Sequence, residues 1–512
     1  MNFEDMLADL RAREEKARAM GGPERLARRE AQGVMNARSR IDCFIDEGSW
    51  VETGLLAVSS VVPEDRPKTP ADGKVAGFGK VDGRVVGLVA NDFTTKGASS
   101  SATNMKKIGH VKRVATERGF PLVFFGESSG ARMPDNMGAK GMGINLGNDP
   151  HQYIRNRESP WASAVLGQCY GSSAWYTCLS DFSVFRKGAV MAVASPGLAS
   201  FAIGQEIEAE DLGGWKLHER VTGLIDRVVD TDEEALEQIK RFLSYMPSNC
   251  NELPPMAPVP AGSDEAAAKI LDILPDSRKR GYDVKKIIEC IADKDSFFEF
   301  KPKFGRTITV GLARLDGKTV GFLASNPMGK AGALDVAGCE KATSFTVMCD
   351  SFNIPLILLV DTPGFVIGIE GERGKAPGKI MNFMQALQMC TVPKLSVIMR
   401  KTYGQAYLNM GGGRNSDDVA AWPTAEISFM DPYFATEIVT WGQQASEETK
   451  GEIMAQMEKD NSAYGLAEIY GVQAVIRPND TRRYLIDQLE IHQLRLTGGI
   501  GKHRLSAWPT TY

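Results

Sequence analysis

Four glycine-bearing stretches hold the residues best placed to do chemistry: ESSGAR (127–132), CYGSSAW (169–175), DTPGF (361–365) and TYGQAY (402–407). Each reads as a loop at the end of a strand. Where such a loop opens a helix, the first backbone N–H groups have no partner inside the helix and the dipole adds positive potential, which makes an anion hole. A reaction that passes through an enolate or another oxyanion needs this feature and needs no histidine or cysteine. The other chemistries have weaker support. The five histidines (His110, His151, His218, His492 and His503) show no H-x-x-x-H or H-E-x-x-H spacing for a metal, and no G-x-S-x-G elbow accompanies them. His218, in GGWKLHERVTG, is the one histidine in a glycine-rich setting, and it is read as structural. The Asp-x-x-Gly of DTPGF is also the pattern of a nucleotide switch. The nearest phosphate loop, GERGKAPGKI, has Arg373 and Ile380 where Gly and Ser/Thr are needed, and it follows DTPGF instead of preceding it.

The elements that must position these loops come in duplicate. GFGKVDGRVVGLVAN (77–91) and GLARLDGKTVGFLASN (311–326) both read as strand, Asp-Gly turn, strand, with Gly83 and Gly317 234 positions apart. The same spacing of 234 relates Pro121 to Pro355 and Gly130 to Gly364, in GFPLVFFGESSGA and NIPLILLVDTPGF. Gly171 and Gly404 are 233 apart. One supersecondary unit has been used twice at domain scale, unlike a short-period solenoid. Short β-branched runs alternate with longer amphipathic stretches, which predicts α/β layering with crossover helices. ELPPMAPVPAGSDEAA (252–267), rich in Pro, Ala and small polar residues, reads as the connector.

A length of 512 residues predicts two domains, and a net charge of −4 with 24% charged residues shows no basic footprint for nucleic acid. Eight scattered cysteines, without a C-x-x-C pair, predict reduced thiols. The first twenty residues lack the apolar segment of a signal peptide, and no apolar run approaches the ~20 residues of a membrane span. The expected location is cytoplasmic.

GARMPD, LGG (212–214), LSYMPSNCNE, YDVKKII, SNPMGKAGALDVAGCEKATSF, CDSFNIPLILLVDTPGF, RKTYGQAY and AWPTAEI occur in this order. Together they resemble the carboxyltransferase (β) subunit of biotin-dependent acyl-CoA carboxylases, of the propionyl-CoA carboxylase type. The resemblance implies an α/β fold of two tandem crotonase-like domains, each of repeated ββα units. These would be an acyl-CoA side at 1–255, a linker at 256–268 and a biotin side at 269–512. It implies transfer of a carboxyl group from carboxybiotin to the α-carbon of an acyl-CoA, with two backbone oxyanion holes for the thioester enolate and the biotin enolate. It also implies a homo-hexamer, a dimer of trimers, with no metal in this subunit.

Carried over by position, the acyl oxyanion pair falls on Gly171 and Ser172 and the biotin pair on Gln405 and Ala406. Gly130, Ala131, Tyr170 and Leu408 fall on the substrate side, and Gly364, Phe365, Tyr403 and Gly404 on the biotin side. The family has Gly where Ser172 and Gln405 stand, and the propionyl type has Asp where Leu408 stands, so a different or broader acyl group is expected. Arg38, Arg40, Lys106 and Lys107 are candidates for the CoA phosphates. No Met-Lys-Met biotin attachment site is present, so a biotin carboxylase and a biotin carboxyl carrier (α) are the expected partners. Two alternatives share these residues: a biotin-dependent acyl-CoA decarboxylase subunit, and a noncatalytic homologue with altered loops.

Overall fold

In the computed structural model, residues 2–146, 152–278, 280–442 and 445–509 are described. His151 lies outside them. The chain divides into two compact units at Asn249/Cys250.

Unit 1 carries one mixed sheet of eight strands. They are β1 (Val51–Thr53), β2 (Lys74–Val81), β3 (Arg84–Asn91), β4 (Leu122–Ser128), β5 (Trp161–Tyr170), β6 (Phe182–Arg186), β7 (Val190–Ala192) and β8 (Arg227–Val229). Their order is β1-β2-β3-β4-β5-β6-β8, with β7 pairing β5. Unit 2 repeats the plan with β9 (Phe298–Phe300), β10 (Ile308–Leu315), β11 (Lys318–Ser325), β12 (Leu356–Thr362), β13 (Lys394–Tyr403), β14 (Asp418–Ala421), β15 (Glu426–Ser428) and β16 (Ala474–Val475). Its order is β16-β14-β13-β12-β11-β10-β9, and β15 pairs β13 as β7 pairs β5.

The Asp-Gly hairpins form as the sequence predicts. Asp82 and Gly83 have φ of 50° and 77°, and Asp316 and Gly317 have 53° and 73°. Two consecutive positive φ angles match the twist of the flanking strands, and Asp-Gly tolerates them. The crossover helices Ala102–Arg118 and Val336–Ser351 start at side-chain caps, Ser101 on the Asn104 amide and Asp335 on the Gly338 amide. Each helix also buries a lysine. Lys107 Nζ donates to Ala71 O at 2.8 Å, and Lys341 Nζ donates to Ile308 O at 2.9 Å. These two lysines are again 234 positions apart.

Strands β4 and β12 are buried along their whole length, as the continuous apolar runs of parallel strands require. In unit 1 the core includes Phe124, which stacks on Tyr176 at 4.8 Å and meets the edge of Trp161 at 5.7 Å. Unit 2 is packed around Phe322, Leu359, Val397 and Trp422. Each large apolar side chain so buried contributes about 1.5–3 kcal/mol.

The stretch 256–268 is anchored in unit 2. Ala257 N–H donates to Gly317 O at 2.9 Å, Lys294 N–H donates to Ser263 Oγ at 3.0 Å, and Ala267 is buried. Its prolines remove amide donors without preventing the chain from lying on a surface. Among the described residues, no helix is long and apolar enough to cross a membrane.

Candidate active site

In unit 1 two glycine loops lie against each other at the ends of β4 and β5. The β4–β5 register shifts between Gly126 and Ser128, an irregularity of the kind that re-aims side chains beside functional sites. Ser100 N–H donates to Gly130 O at 2.8 Å, and Arg132 N–H donates to Ser100 O at 2.9 Å, which bridges Ser100 and Ala131. Gly130 has φ of 99° and Gly171 of 63°, conformations that glycine adopts without penalty. A Cβ built on Gly171 would stand 3.7 Å from Gly130 Cα, so Gly130, Ala131, Tyr170 and Gly171 are brought together.

The helix Ser172–Leu179 starts directly after Gly171. Its first amides have no intrahelical acceptor, and no backbone carbonyl among the described residues takes those of Ser172 or Ser173. The two serine hydroxyls are anchored elsewhere. Ser172 Oγ lies 2.8 Å from Ser100 Oγ, and Ser173 Oγ accepts from Asn91 Nδ2 at 2.8 Å. These anchors, Ser100 and Asn91, lie outside the four loops and only the folded chain reveals them.

Unit 2 reproduces the arrangement. Leu334 N–H donates to Gly364 O at 2.9 Å, Val366 N–H donates to Leu334 O at 2.8 Å, and Leu334 bridges Phe365. Gly364 and Gly404 have φ of 121° and 60°. A Cβ on Gly364 would lie 3.9 Å from Tyr403 O. Gly404 N–H donates to Ser428 O at 2.9 Å, and a single helical turn, Ala406–Asn409, follows. The amides of Gln405 and Ala406 have no backbone acceptor among the described residues. Leu408 is half-buried, and a Cβ on Gly413 would touch its Cδ2 at 3.4 Å.

Both tyrosines of the Tyr-Gly pairs are buried, and desolvation pushes their hydroxyls up from the usual phenol value. Tyr403 Oη donates to Glu426 Oε2 at 2.8 Å.

Under each loop sits a buried carboxylate. Glu127 accepts from Arg29 Nη1 at 2.9 Å, Arg29 Nη2 at 2.7 Å and Arg40 Nη1 at 2.8 Å. Asp361 lies 3.4 Å from Arg400 Nε and accepts from Lys401 N–H at 3.2 Å. Burial raises the pKa of Asp361, opposed chiefly by Arg400, whose guanidinium lies 5.4 Å from the Tyr282 ring centre.

Of the four basic candidates for phosphate contacts, three are already engaged. Arg40 is buried against Glu127 and Asp232, Arg38 pairs with Glu52 at 2.7 Å, and Lys107 is buried on carbonyl oxygens. Only Lys106 is exposed. The reason is packing: Arg38, Arg40 and Lys107 lie on faces turned toward the sheet and its flanking turns. A different basic surface exists, a cavity of about 550 Å³ lined in part by Arg25, Arg28, Arg29, Lys96 and Arg186. Burial also brings Lys74 down to about 7, with the like charge of Arg132 adding to the effect.

His218 is structural, as read from the sequence in spite of its glycine-rich setting. Its ring lies buried with Nε2 2.8 Å from Met191 O and Nδ1 3.0 Å from Thr222 Oγ1, and desolvation lowers its pKa. Among the described residues, no cluster of three or more His, Cys, Asp or Glu side chains could hold a metal ion.

Comparison with known proteins agrees with this geometry. Residues 28–499 match the carboxyl transferase domain. The chain is 34% identical to the propionyl-CoA carboxylase carboxyltransferase subunit of Haloferax mediterranei, over 96% of each chain. It is 33% identical to the methylmalonyl-CoA decarboxylase subunit alpha of Veillonella parvula, over 93% of each. Its fold superposes on the transcarboxylase 12S hexamer core, solved with methylmalonyl-CoA and methylmalonic acid bound, with a TM-score of 0.90, 31% identity and 96% of each chain covered. Paired glycine loops in two matched sheets, together with these likenesses across nearly the whole sequence, show that the chain belongs to the carboxyl transferase family and acts in acyl-CoA carboxyl transfer.

Proposed function

We propose that this chain is the carboxyltransferase subunit that moves a carboxyl group between carboxybiotin, carried by a partner, and the α-carbon of an acyl-CoA. The observation that carries this reading is the pair of turns after Gly171 and Gly404, at matched positions of two duplicated units, where the amides of Ser172 and Ser173 and those of Gln405 and Ala406 have no backbone acceptor among the described residues. In unit 1 the amides of Gly171 and Ser172 take the thioester oxygen, which gains charge as the α-proton leaves. Gly130, Ala131 and Tyr170 wall that side, and Leu408 bears on acyl choice. Removing one such donor costs about 10²–10³ in rate, or roughly 2.7–4 kcal/mol.

In unit 2 the amides of Gln405 and Ala406 suit an oxygen that gains charge, so they would hold the ureido oxygen of biotin. Gly364, Phe365, Tyr403 and Gly404 would flank it. Bound biotin supplies the labile carboxyl group and the ring nitrogen that receives the α-proton. This assignment is consistent with glycine loops that hold no histidine and whose one cysteine, Cys169, is buried, its thiol pushed up to about 12 by desolvation.

The related 12S core is a hexamer, and the same assembly is proposed here, in the cytoplasm, served by a biotin carboxylase and a biotin carboxyl carrier. The likeness to a decarboxylase subunit, 33% over 93% of each chain, supports a second reading in which the reaction runs toward loss of CO2. The deciding assay supplies a biotinylated carrier. ATP-dependent carboxylation of an acyl-CoA through a biotin carboxylase supports the first reading. Decarboxylation of a malonyl-type CoA without ATP supports the second. No carboxyl exchange between a malonyl-type CoA and biotin, in either direction, would sink both.

A further inference from the structure

We propose that the Ser172 hydroxyl is a side-chain donor to the acyl oxyanion turn of unit 1, beyond the backbone amides, and that Ser100 is the positioning residue that orients it; this rests on the carboxyltransferase reading above. The Ser100 and Ser172 hydroxyl oxygens lie 2.8 Å apart, and either can be the donor. One hydrogen fills that contact and the other is left over. Among the described residues neither hydroxyl has a further partner. Ser100 is buried and held through its backbone: its N–H donates to Gly130 O at 2.8 Å, and its carbonyl accepts from Arg132 N–H at 2.9 Å and from Asn136 Nδ2 at 3.0 Å. Ser172 opens its helix, and its amide has no backbone acceptor among the described residues. The Ser172 hydroxyl, joined through Cβ to the same Cα, stands at the rim of that turn on the side of Gly130 and Ala131, which Ser100 adjoins.

As the thioester oxygen gains charge it draws the Ser172 hydrogen, and the Ser172 oxygen then accepts from Ser100. Both hydrogens of this chain point the same way, so each bond polarises the next, and the last is charge-assisted. No proton is transferred. A donor aimed at the place where charge develops favours the transition state over the bound substrate. The device is particular to unit 1. The positions matching Ser100 and Ser172 are Leu334, 234 residues on, and Gln405, 233 residues on. Leu334 has no polar side-chain atom, so unit 2 cannot form the same pair. The positive φ of the unit 1 turn belongs to Gly171 and not to Ser172, so a side chain is accommodated without backbone strain at the position where the family has Gly.

The test is carboxyl exchange by the full chain between malonyl-CoA or methylmalonyl-CoA and a biotinylated carrier, with melting temperatures matched as the folding control. Ser172→Ala and Ser172→Gly both keep the amide and remove the hydroxyl. Each is expected to lower kcat about 10–100-fold, the strength of one hydrogen bond to a charged group, with KM nearly unchanged. Ser100→Ala is expected to lower kcat less, and to lower it no further in a Ser172→Ala background, because Ser100 acts through Ser172. The infrared stretch of an isotope-labelled thioester carbonyl, bound without the carrier, is expected at higher frequency in the Ser172 variants than in wild type. Wild-type kcat in both Ser172 variants, a change confined to KM, or an unmoved carbonyl stretch overturns the donor role and leaves the carboxyltransferase reading standing. Losses that add in the double variant overturn the positioning role of Ser100. Wild type that exchanges no carboxyl group with either CoA removes the carboxyltransferase reading itself.

Discussion

The two units solve one electrostatic problem in different ways. Each places a carboxylate at the irregular end of its central strand, Glu127 in β4 and Asp361 in β12, 234 positions apart. In unit 2 the compensating cation, Arg400, sits on the neighbouring strand β13. In unit 1 that strand position is Gly167, and a Cβ there would come within 2.3 Å of Glu127 Oε1. The cations reach Glu127 instead from Arg29 and Arg40, on helices 98 and 87 residues earlier in sequence. A duplicated fold keeps its backbone geometry while the source of charge changes. Unit 1 thereby comes to depend on its N-terminal helices.

Removing Arg40 tests that dependence most severely. Arg40→Met leaves Glu127 with Arg29 as its one partner and Asp232 with Arg186 and the Met35 amide, and breaking such a buried pair costs about 3–5 kcal/mol. Native-state hydrogen exchange should show strong loss of protection in β4, whereas Arg400→Met in unit 2 should show a smaller loss in β12, since Asp361 retains the Lys401 amide. Equal losses would break the contrast.

Gly167→Ala comes next. The added methyl must displace a carboxylate held by two arginines, an overpacking cost of about 1–3 kcal/mol, read as a lower urea midpoint for unit 1.

Gly404→Ala and Gly171→Ala sharpen the comparison at the loops themselves. Both glycines have φ near +60°, where an L-residue costs roughly 1–2 kcal/mol. Gly404 also has Phe429 O 3.0 Å from its added Cβ, against 3.7 Å to the nearest atom at Gly171. The unit 2 variant should therefore lose more thermal stability.

The smallest effect concerns pH. Lys74 has its folded pKa lowered to about 7 from 10.5, so the unfolded chain binds more protons between those values. Its contribution to stability is fully present above about pH 10.5 and lost as pH falls through about 7. Because a full proton difference is worth about 1.4 kcal/mol per pH unit, the gain from pH 7 to 8 is on the order of 1 kcal/mol. Lys74→Met should flatten that slope in urea titrations. The matching position of unit 2 is Ile308, 234 positions on, so no such slope is expected from it.

Much of this was legible before folding. The Asp-Gly hairpins, the repeat spacing and the loops at 127–132 and 361–365 are local patterns, and local turn chemistry determines them. The phosphate candidates Arg38, Arg40 and Lys107 were misplaced because side-chain burial depends on neighbours far along the chain. The anchors of the altered loop, Ser100 and Asn91, were invisible for the same reason, since each lies 72 or more residues from the serine it holds.

By itself the sequence determined the strand-turn-strand repeats, the positions of the four glycine loops and the family resemblance, because period, turn residues and motif order are properties of neighbouring residues. Only the tertiary structure decided which guanidinium groups neutralise Glu127, which remain facing a cavity, and where the Ser172 and Ser173 hydroxyls turn. Those outcomes depend on desolvation and on distances of about 3 Å between residues far apart in the chain, which no local pattern encodes.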